Sequence, residues 1–237
     1  MSTIMITGSC SGLGGALCES LRPAHTLIGV DHFFGDDVRT PDVGYLVGGI
    51  RSATGDWDTE VPPLDVLINC AGVNGIDMLE DVTDDLWDRV MDTNAKGIMK
   101  MSQAMLPNLI AAKGTIINVV SNAATMPMTS SIAYNASKGA AKIMTAQMAR
   151  ELTRRHGITV FSISPNKLRG TGMSKQIDAE VVRTRGWTME EAQKYQLAGL
   201  LAGEETDPQQ IADLVAFLLE KKERHAYLTG CDLQLGL

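Results

Sequence analysis

A chain of 237 residues with 44% apolar composition can bury a core of its own, and it fits a single domain over 1–237. Its formal charge of −7, with no Lys/Arg run, argues against nucleic acid or an anionic membrane surface as partner. No apolar run is long enough to span a bilayer, and residues 1–7 lack the basic start and long apolar core of a signal peptide. A cytoplasmic protein is therefore expected.

The pattern alternates short β-rich runs with amphipathic stretches, which predicts an α/β fold: a doubly wound parallel sheet of about six to seven strands, Rossmann-like, with helices on both faces. The first strand spans 3–7 and runs into Gly8-Ser-Cys-Ser-Gly12-Leu-Gly14, where a helix over 12–21 begins. In this setting Gly8 permits a tight turn, Gly12 lets backbone approach a pyrophosphate, and Gly14 allows close helix–strand contact. The helix N-terminus adds free N–H donors and a partial positive charge for phosphate.

A second strand over 26–31 closes on Asp31. Seventeen residues after Gly14, its carboxylate can accept hydrogen bonds from both hydroxyls of an adenosine ribose. The same charge repels a 2′-phosphate, and no cation stands at Ser9, Cys10, Ser11 or His32 to welcome one. NAD is thereby favoured over NADP. A very short strand is expected at 37–39 and further strands at 65–69, 114–120, 158–164 and 228–234. Helices are expected over 83–113, broken near Asn94, and over 134–156 and 208–222. Asp207 as N-cap and Pro208 at the first helical position mark the start of the last.

Residues 167–203 mix polar, Met and Trp residues without a clean period, and a substrate lid is expected there. Met126, Met128, Met173, Trp187 and Met189 suggest an adaptable apolar wall, although such residues more often fill a core. Arg183 and Arg185 either meet an anionic substrate or sit in solvent. The four cysteines show no C-x-x-C spacing, and His25, His32, His156 and His225 no ligand spacing, so no metal site is expected.

Within the Ala-rich stretch, Tyr134 and Lys138 lie one helical turn apart on one face. An ammonium beside a phenol favours the phenolate, which would make the tyrosine a usable base. Ser121 lies thirteen residues upstream and Asn94 twenty-seven before that. Singly, such a serine more often ends a strand and such an asparagine caps a helix.

Taken together, Thr7-Gly-x-x-x-Gly-x-Gly14, Asn69-Cys-Ala-Gly72, Asn94, Ser121, Tyr134-x-x-x-Lys138 and Tyr227-Leu-Thr-Gly230 resemble the short-chain dehydrogenase/reductase family in its single-domain NAD-type branch. The resemblance implies an oxidoreductase interconverting a secondary alcohol and a ketone. In it Tyr134 is general acid/base and Ser121 donates to the substrate oxygen. Lys138 lowers the Tyr134 pKa and binds the nicotinamide ribose, while Asn94 holds a water of a proton relay. It implies cofactor contacts at Gly8, Ser11, Gly12, Leu13, Gly14, Asp31, the pair Asp37–Val38, Asn69, Ala71, Gly72, Tyr134, Lys138, Pro165 and Thr171. It also implies a homo-oligomer, dimer or tetramer, paired through the long helices beside the site.

The chain departs from that pattern after its sixth strand. Asn166 replaces the usual glycine, and the expectation is that it takes the positive φ that Asn tolerates. Gly170 stands where a threonine is usual, so Thr171 either takes over the nicotinamide carboxamide or leaves it loosely gripped. Two rival readings follow: a non-catalytic dinucleotide-binding sensor or scaffold of the same fold, and an NADPH-type ketoacyl reductase.

Overall fold

In the computed structural model, residues 1–31, 61–220 and 226–236 are described in full and residues 43–47 as backbone. Seven parallel strands form one sheet in the order β3-β2-β1-β4-β5-β6-β7. The strands are β1 Thr3–Thr7, β2 Thr26–Asp31, β3 Val43–Val47, β4 Val66–Asn69, β5 Thr115–Val119, β6 Thr159–Pro165 and β7 Asp232–Leu235. The helices are α1 Gly12–Leu21, α2 Asp84–Met91, α3 Gly97–Ala104, α4 Leu106–Ala112, α5 Ile132–His156, α6 Gly172–Arg185, α7 Met189–Ala198 and α8 Pro208–Leu219.

The central strands read as unbroken apolar runs because both faces of the sheet are covered. Successive side chains of β1 point to opposite faces. Ile4 and Ile6 join Leu17, Leu21, Phe161, Ile211 and Val215 in the core under α1 and α8. Met5, between them, joins Leu67, Met101, Met105, Leu109 and Ile116 in the core under α3, α4 and α5. β1 pairs with β2 on one side and β4 on the other. The chain therefore reverses its direction of growth beside β1, and the crevice at the carboxyl ends of β1 and β4 is where open α/β sheets take ligands.

The sequence expectations for β1, β2 and α1 match to the residue. The short strand expected at 37–39, with Asp37 and Val38, lies outside the described residues. The strand expected at 228–234 begins instead at Asp232, because residues 226–231 turn: Thr229 N–H donates to Ala226 O, and Cys231 N–H to Leu228 O. The expected helix break near Asn94 is a π-helical turn over Asp92–Lys96, in which Gly97 N–H reaches back five residues to Asp92 O. Two helices, α6 and α7, occupy the segment expected as a lid. No helix among the described residues is long and apolar enough to cross a membrane.

Candidate functional site

The glycine turn is built by steric necessity. Gly8 has φ 70°, and a Cβ there would lie 2.8 Å from Ala71 Cα, so only glycine lets β1 pass the loop after β4. Gly14 is equally constrained, because its Cβ would run into the Gly8 carbonyl. Thr7 closes the crevice from below, its Oγ1 accepting from both Cys70 N–H and Ala71 N–H at 3.0 Å.

Two features of this turn fit an anionic group. Ser11 caps α1 in extended conformation without a side-chain hydrogen bond, which leaves first-turn donors of α1 to a ligand. Ser9 is buried, yet its hydroxyl has no hydrogen-bond partner. The sequence reading missed Ser9; its place inside the glycine turn was the available signal. At the end of β2, Asp31 Oδ2 accepts from Cys10 N–H at 2.8 Å, which fixes the carboxylate beside the turn. Burial and that neighbouring charge push the Cys10 thiol up.

Asn69 does not face the crevice. Its amide donates to Asn118 Oδ1 at 2.9 Å and Ser102 Oγ at 3.2 Å, and Asn118 passes the chain on to Thr145 Oγ1 at 2.9 Å. That buried polar line holds β4, β5, α3 and α5 together beneath the site. The Asn69 side chain is thus engaged within the fold, and its main chain ends β4 at the head of the Cys70–Gly72 loop. Ala71 and Gly72 remain at the crevice. A Cβ at Gly72 would come within 3.4 Å of Asn94 Oδ1 and 3.6 Å of Lys138 Nζ.

α5 carries Tyr134 and Lys138 on its sheet-facing side with Ser137, Ala141, Thr145 and Ala149, small residues that let the helix sit close. Gly157 at φ 71° ends it, and Arg154, Arg155 and His156 complement its C-terminal dipole. Asn135 points the other way, donating to Ala123 O at 2.6 Å and Met126 O at 2.9 Å, which ties the segment after β5 to α5. Ser121 opens that segment. Its Oγ accepts from Ala123 N–H at 3.1 Å, so its own proton is left to donate, and the hydroxyl is near enough to the Tyr134 phenol to draw that group's pKa down.

Asn94 is wholly buried and its two amide hydrogens are committed, to Val73 O at 2.9 Å and Ser137 Oγ at 3.0 Å; its Oδ1 accepts from Val73 N–H at 2.8 Å. Ser137 donates in turn to Tyr134 O at 2.8 Å. The side chain thus clamps the loop after β4 to the turn of α5 that bears the tyrosine. Its Oδ1 has accepted one hydrogen bond and keeps a lone pair for a further donor.

Lys138 Nζ donates to Val119 O at 3.0 Å and lies 5.7 Å from the centre of the Tyr134 ring. Burial pushes the lysine down to about 8. The phenol moves the other way: its own burial raises it, and the neighbouring Ser121 hydroxyl opposes the rise. The sequence expectation of a tyrosine pulled below its usual value is therefore not met. Desolvation of the phenol outweighs its neighbours.

The segment after β6 also differs from expectation. Asn166 does not take positive φ. Its N–H donates to Leu235 O at 3.1 Å and its side-chain amide to Gly236 O at 2.6 Å, so it fastens the end of β7. Gly170 takes the positive φ instead, at 71°. Thr171 lies across the turn from Gly12, whose Cβ would meet the Thr171 methyl at 3.6 Å. Its hydroxyl is spent on capping α6, accepting from Ser174 N–H at 3.0 Å and donating to Leu168 O at 3.2 Å. Pro165 ends β6 in register with Leu235.

Neither arginine in the last turn of α6 stands free. Arg183 bonds Asp77 Oδ1 at 2.6 Å and Ile76 O at 3.0 Å, docking α6 on the loop after β4. Arg185 lies against both the Trp187 and Tyr195 rings, 4.7 and 4.6 Å from their centres, and the two rings meet edge to face.

The family model described as short chain dehydrogenase matches residues 46–181. The 2-(S)-hydroxypropyl-CoM dehydrogenase 3 of Xanthobacter autotrophicus is 32% identical over 182 residues, 76% of this chain and 68% of that protein. The 3-oxoacyl-(acyl-carrier-protein) reductase FabG of Vibrio harveyi is 28% identical over 245 residues, 98% of this chain and 94% of that protein. Among solved structures, an actinorhodin polyketide ketoreductase with NADPH superposes with a TM-score of 0.87 at 23% identity, covering 99% of this chain and 95% of that one.

Proposed function

Given that the chain belongs to the short-chain dehydrogenase family, an oxidoreductase family acting on CH–OH and C=O groups through a nicotinamide dinucleotide, we propose that it interconverts a secondary alcohol and a ketone with NAD(H). The observation that carries the reading is the convergence of Ser121, Tyr134 and Lys138 at the carboxyl end of β5, beside a glycine turn holding an unpartnered buried hydroxyl at Ser9. Gly8, Ser9, Ser11, Gly12, Leu13 and Gly14 would hold the pyrophosphate, Asp31 the adenosine ribose, and Ala71, Gly72, Lys138 and Thr171 the nicotinamide half. The bound dinucleotide supplies the hydride acceptor or donor.

The chain's own groups handle the proton. With its pKa raised, Tyr134 is protonated at neutral pH, which is the form that gives a proton to a ketone oxygen. Ser121 has a hydroxyl proton left for the same oxygen and steadies charge developing there. Oxidation of the alcohol needs the phenolate, so its rate is expected to climb with pH above neutrality. Asp31, a carboxylate fixed against the turn, supports NAD over NADP by repelling a 2′-phosphate.

The non-catalytic reading draws on one observation, the engagement of the Thr171 hydroxyl in helix capping. A single substitution separates the two. Tyr134→Phe is expected to lower ketone reduction by at least ~100-fold and leave NADH affinity within a few-fold, read by fluorescence titration and steady-state kinetics. Turnover retained by that variant would refute the proton role. Absence of hydride transfer by the wild type across a panel of alcohols and ketones would leave the sensor.

A further inference from the structure

Lys167 is the most deeply buried ammonium in the lid region, and neither its burial nor its partners follow from the site described above. It stands two residues past the end of β6 and four before Thr171. Its ammonium pairs with Asp178 of α6 and with Glu205 Oε1 at 2.8 Å, the lysine side chain being 9% exposed and the carboxylates 12% and 18%. Asp178 also accepts from Gln196 Nε2 of α7 at 2.7 Å, and Ser174 Oγ of α6 donates to Glu205 at 3.3 Å. The backbone repeats the tie: Thr206 N–H donates to Lys167 O at 3.0 Å, and Arg169 N–H to Thr206 O at 2.8 Å.

One buried cation thus joins the end of β6, α6, α7 and the segment that leads into α8. Apolar residues of similar volume would hold such a junction at least as firmly, because two charges leave water only at considerable cost. What an ion triad adds is a defined geometry. The element it sets is α6, whose first turn is capped by Thr171 opposite Gly12 of the phosphate turn.

We infer that Lys167 is a positioning residue that holds the α6–α7 lid, through Asp178 and Glu205, at the height that keeps Thr171 over the glycine turn and so retains the dinucleotide. The inference rests on the proposed dinucleotide site for its second half; the lid's attachment does not depend on that site.

Two measurements test the parts separately. In the free protein, Lys167→Met is expected to speed amide hydrogen exchange across residues 168–198 while β1, β4 and β5 keep wild-type protection. With NADH, stopped-flow dissociation is expected to quicken roughly ten- to hundredfold, with KM for dinucleotide rising more than kcat falls. Lys167→Arg is expected to restore most of both. Gln196→Ala, which strips one bond from Asp178 without stranding a charge, is expected to give a smaller change of the same sign and serves where Lys167→Met fails to fold. A lower melting temperature with unchanged exchange and unchanged dissociation would reduce Lys167 to a structural residue and overturn the inference. If wild type takes up no dinucleotide, the proposed function falls, whereas faster lid exchange in Lys167→Met still upholds the latch.

Discussion

At the scale of single residues, the site is a set of opposed burial effects. Lys138 and Tyr134 are both enclosed, so each is pushed toward its neutral form, the lysine down to about 8 and the phenol up. For a lysine whose folded pKa lies below its unfolded one, the unfolded chain binds the extra proton between the two values. Stability therefore rises with pH across roughly 8 to 10. The raised phenol works in the opposite sense at higher pH, so the lysine effect is best isolated by difference. Relative to Lys138→Met, the wild-type unfolding free energy is expected to gain about 2 kcal/mol from pH 7 to pH 9.5. Urea melts at both pH values measure it, and a flat difference would show that the ammonium is solvated despite its place in the fold.

At the scale of elements, the glycine turn separates two neighbouring glycines with different jobs. Gly14 is wedged against backbone of Gly8 and Ser9, which cannot yield, whereas the nearest atom to a Cβ at Gly15 is Ser9 O at 4.0 Å. Gly14→Ala is expected to cost about 1–3 kcal/mol of stability and at least ~10-fold in dinucleotide affinity. Gly15→Ala should be neutral or stabilising by up to about 1 kcal/mol, since alanine is the better helix former. Equal behaviour of the two variants in urea melts and NADH titration would deny the turn its close contact.

The turn was legible because strand, glycine spacing and helix stand together in sequence, and Tyr134, Lys138, Ser121 and Asn94 because their separations form one pattern. What escaped was what depends on contacts distant in sequence. β3 was hidden by Gly44 inside it and Gly48-Gly49 behind it, residues that weaken a strand signal. α7 did announce itself, in Thr188-Met-Glu-Glu191, which forms a capping box, but the irregular period around it masked the signal. Asn166 could not be read locally, because its partners are Leu235 and Gly236, seventy residues on. The rise of the Tyr134 pKa was equally hidden, since helical spacing conveys a neighbour's charge and not how deeply a side chain is buried.

At the scale of the whole molecule, the sheet order gathers Asp31, Ala71, Gly72, Ser121 and Thr171 at the carboxyl ends of the strands. β1 and β4 part at the crevice, β2 delivers Asp31 beside it, and β5 and β6 deliver Ser121 and Thr171. A dinucleotide lying across those ends would touch segments after five strands, so its binding should stabilise the fold as a unit. A ligand at a hundred times its Kd contributes about 2.7 kcal/mol, which for a chain of this length raises Tm by roughly 5–10 °C. NADH is expected to give such a shift, and NADPH at the same concentration less than half of it, because its 2′-phosphate meets the Asp31 carboxylate. In Asp31→Ala the two shifts should converge, with the NADPH shift growing, since one fixed negative charge has gone while the glycine turn that holds the pyrophosphate is untouched. Equal shifts in the wild type would remove Asp31 from cofactor selection while leaving the site's position intact. No shift with either dinucleotide would count against the site itself.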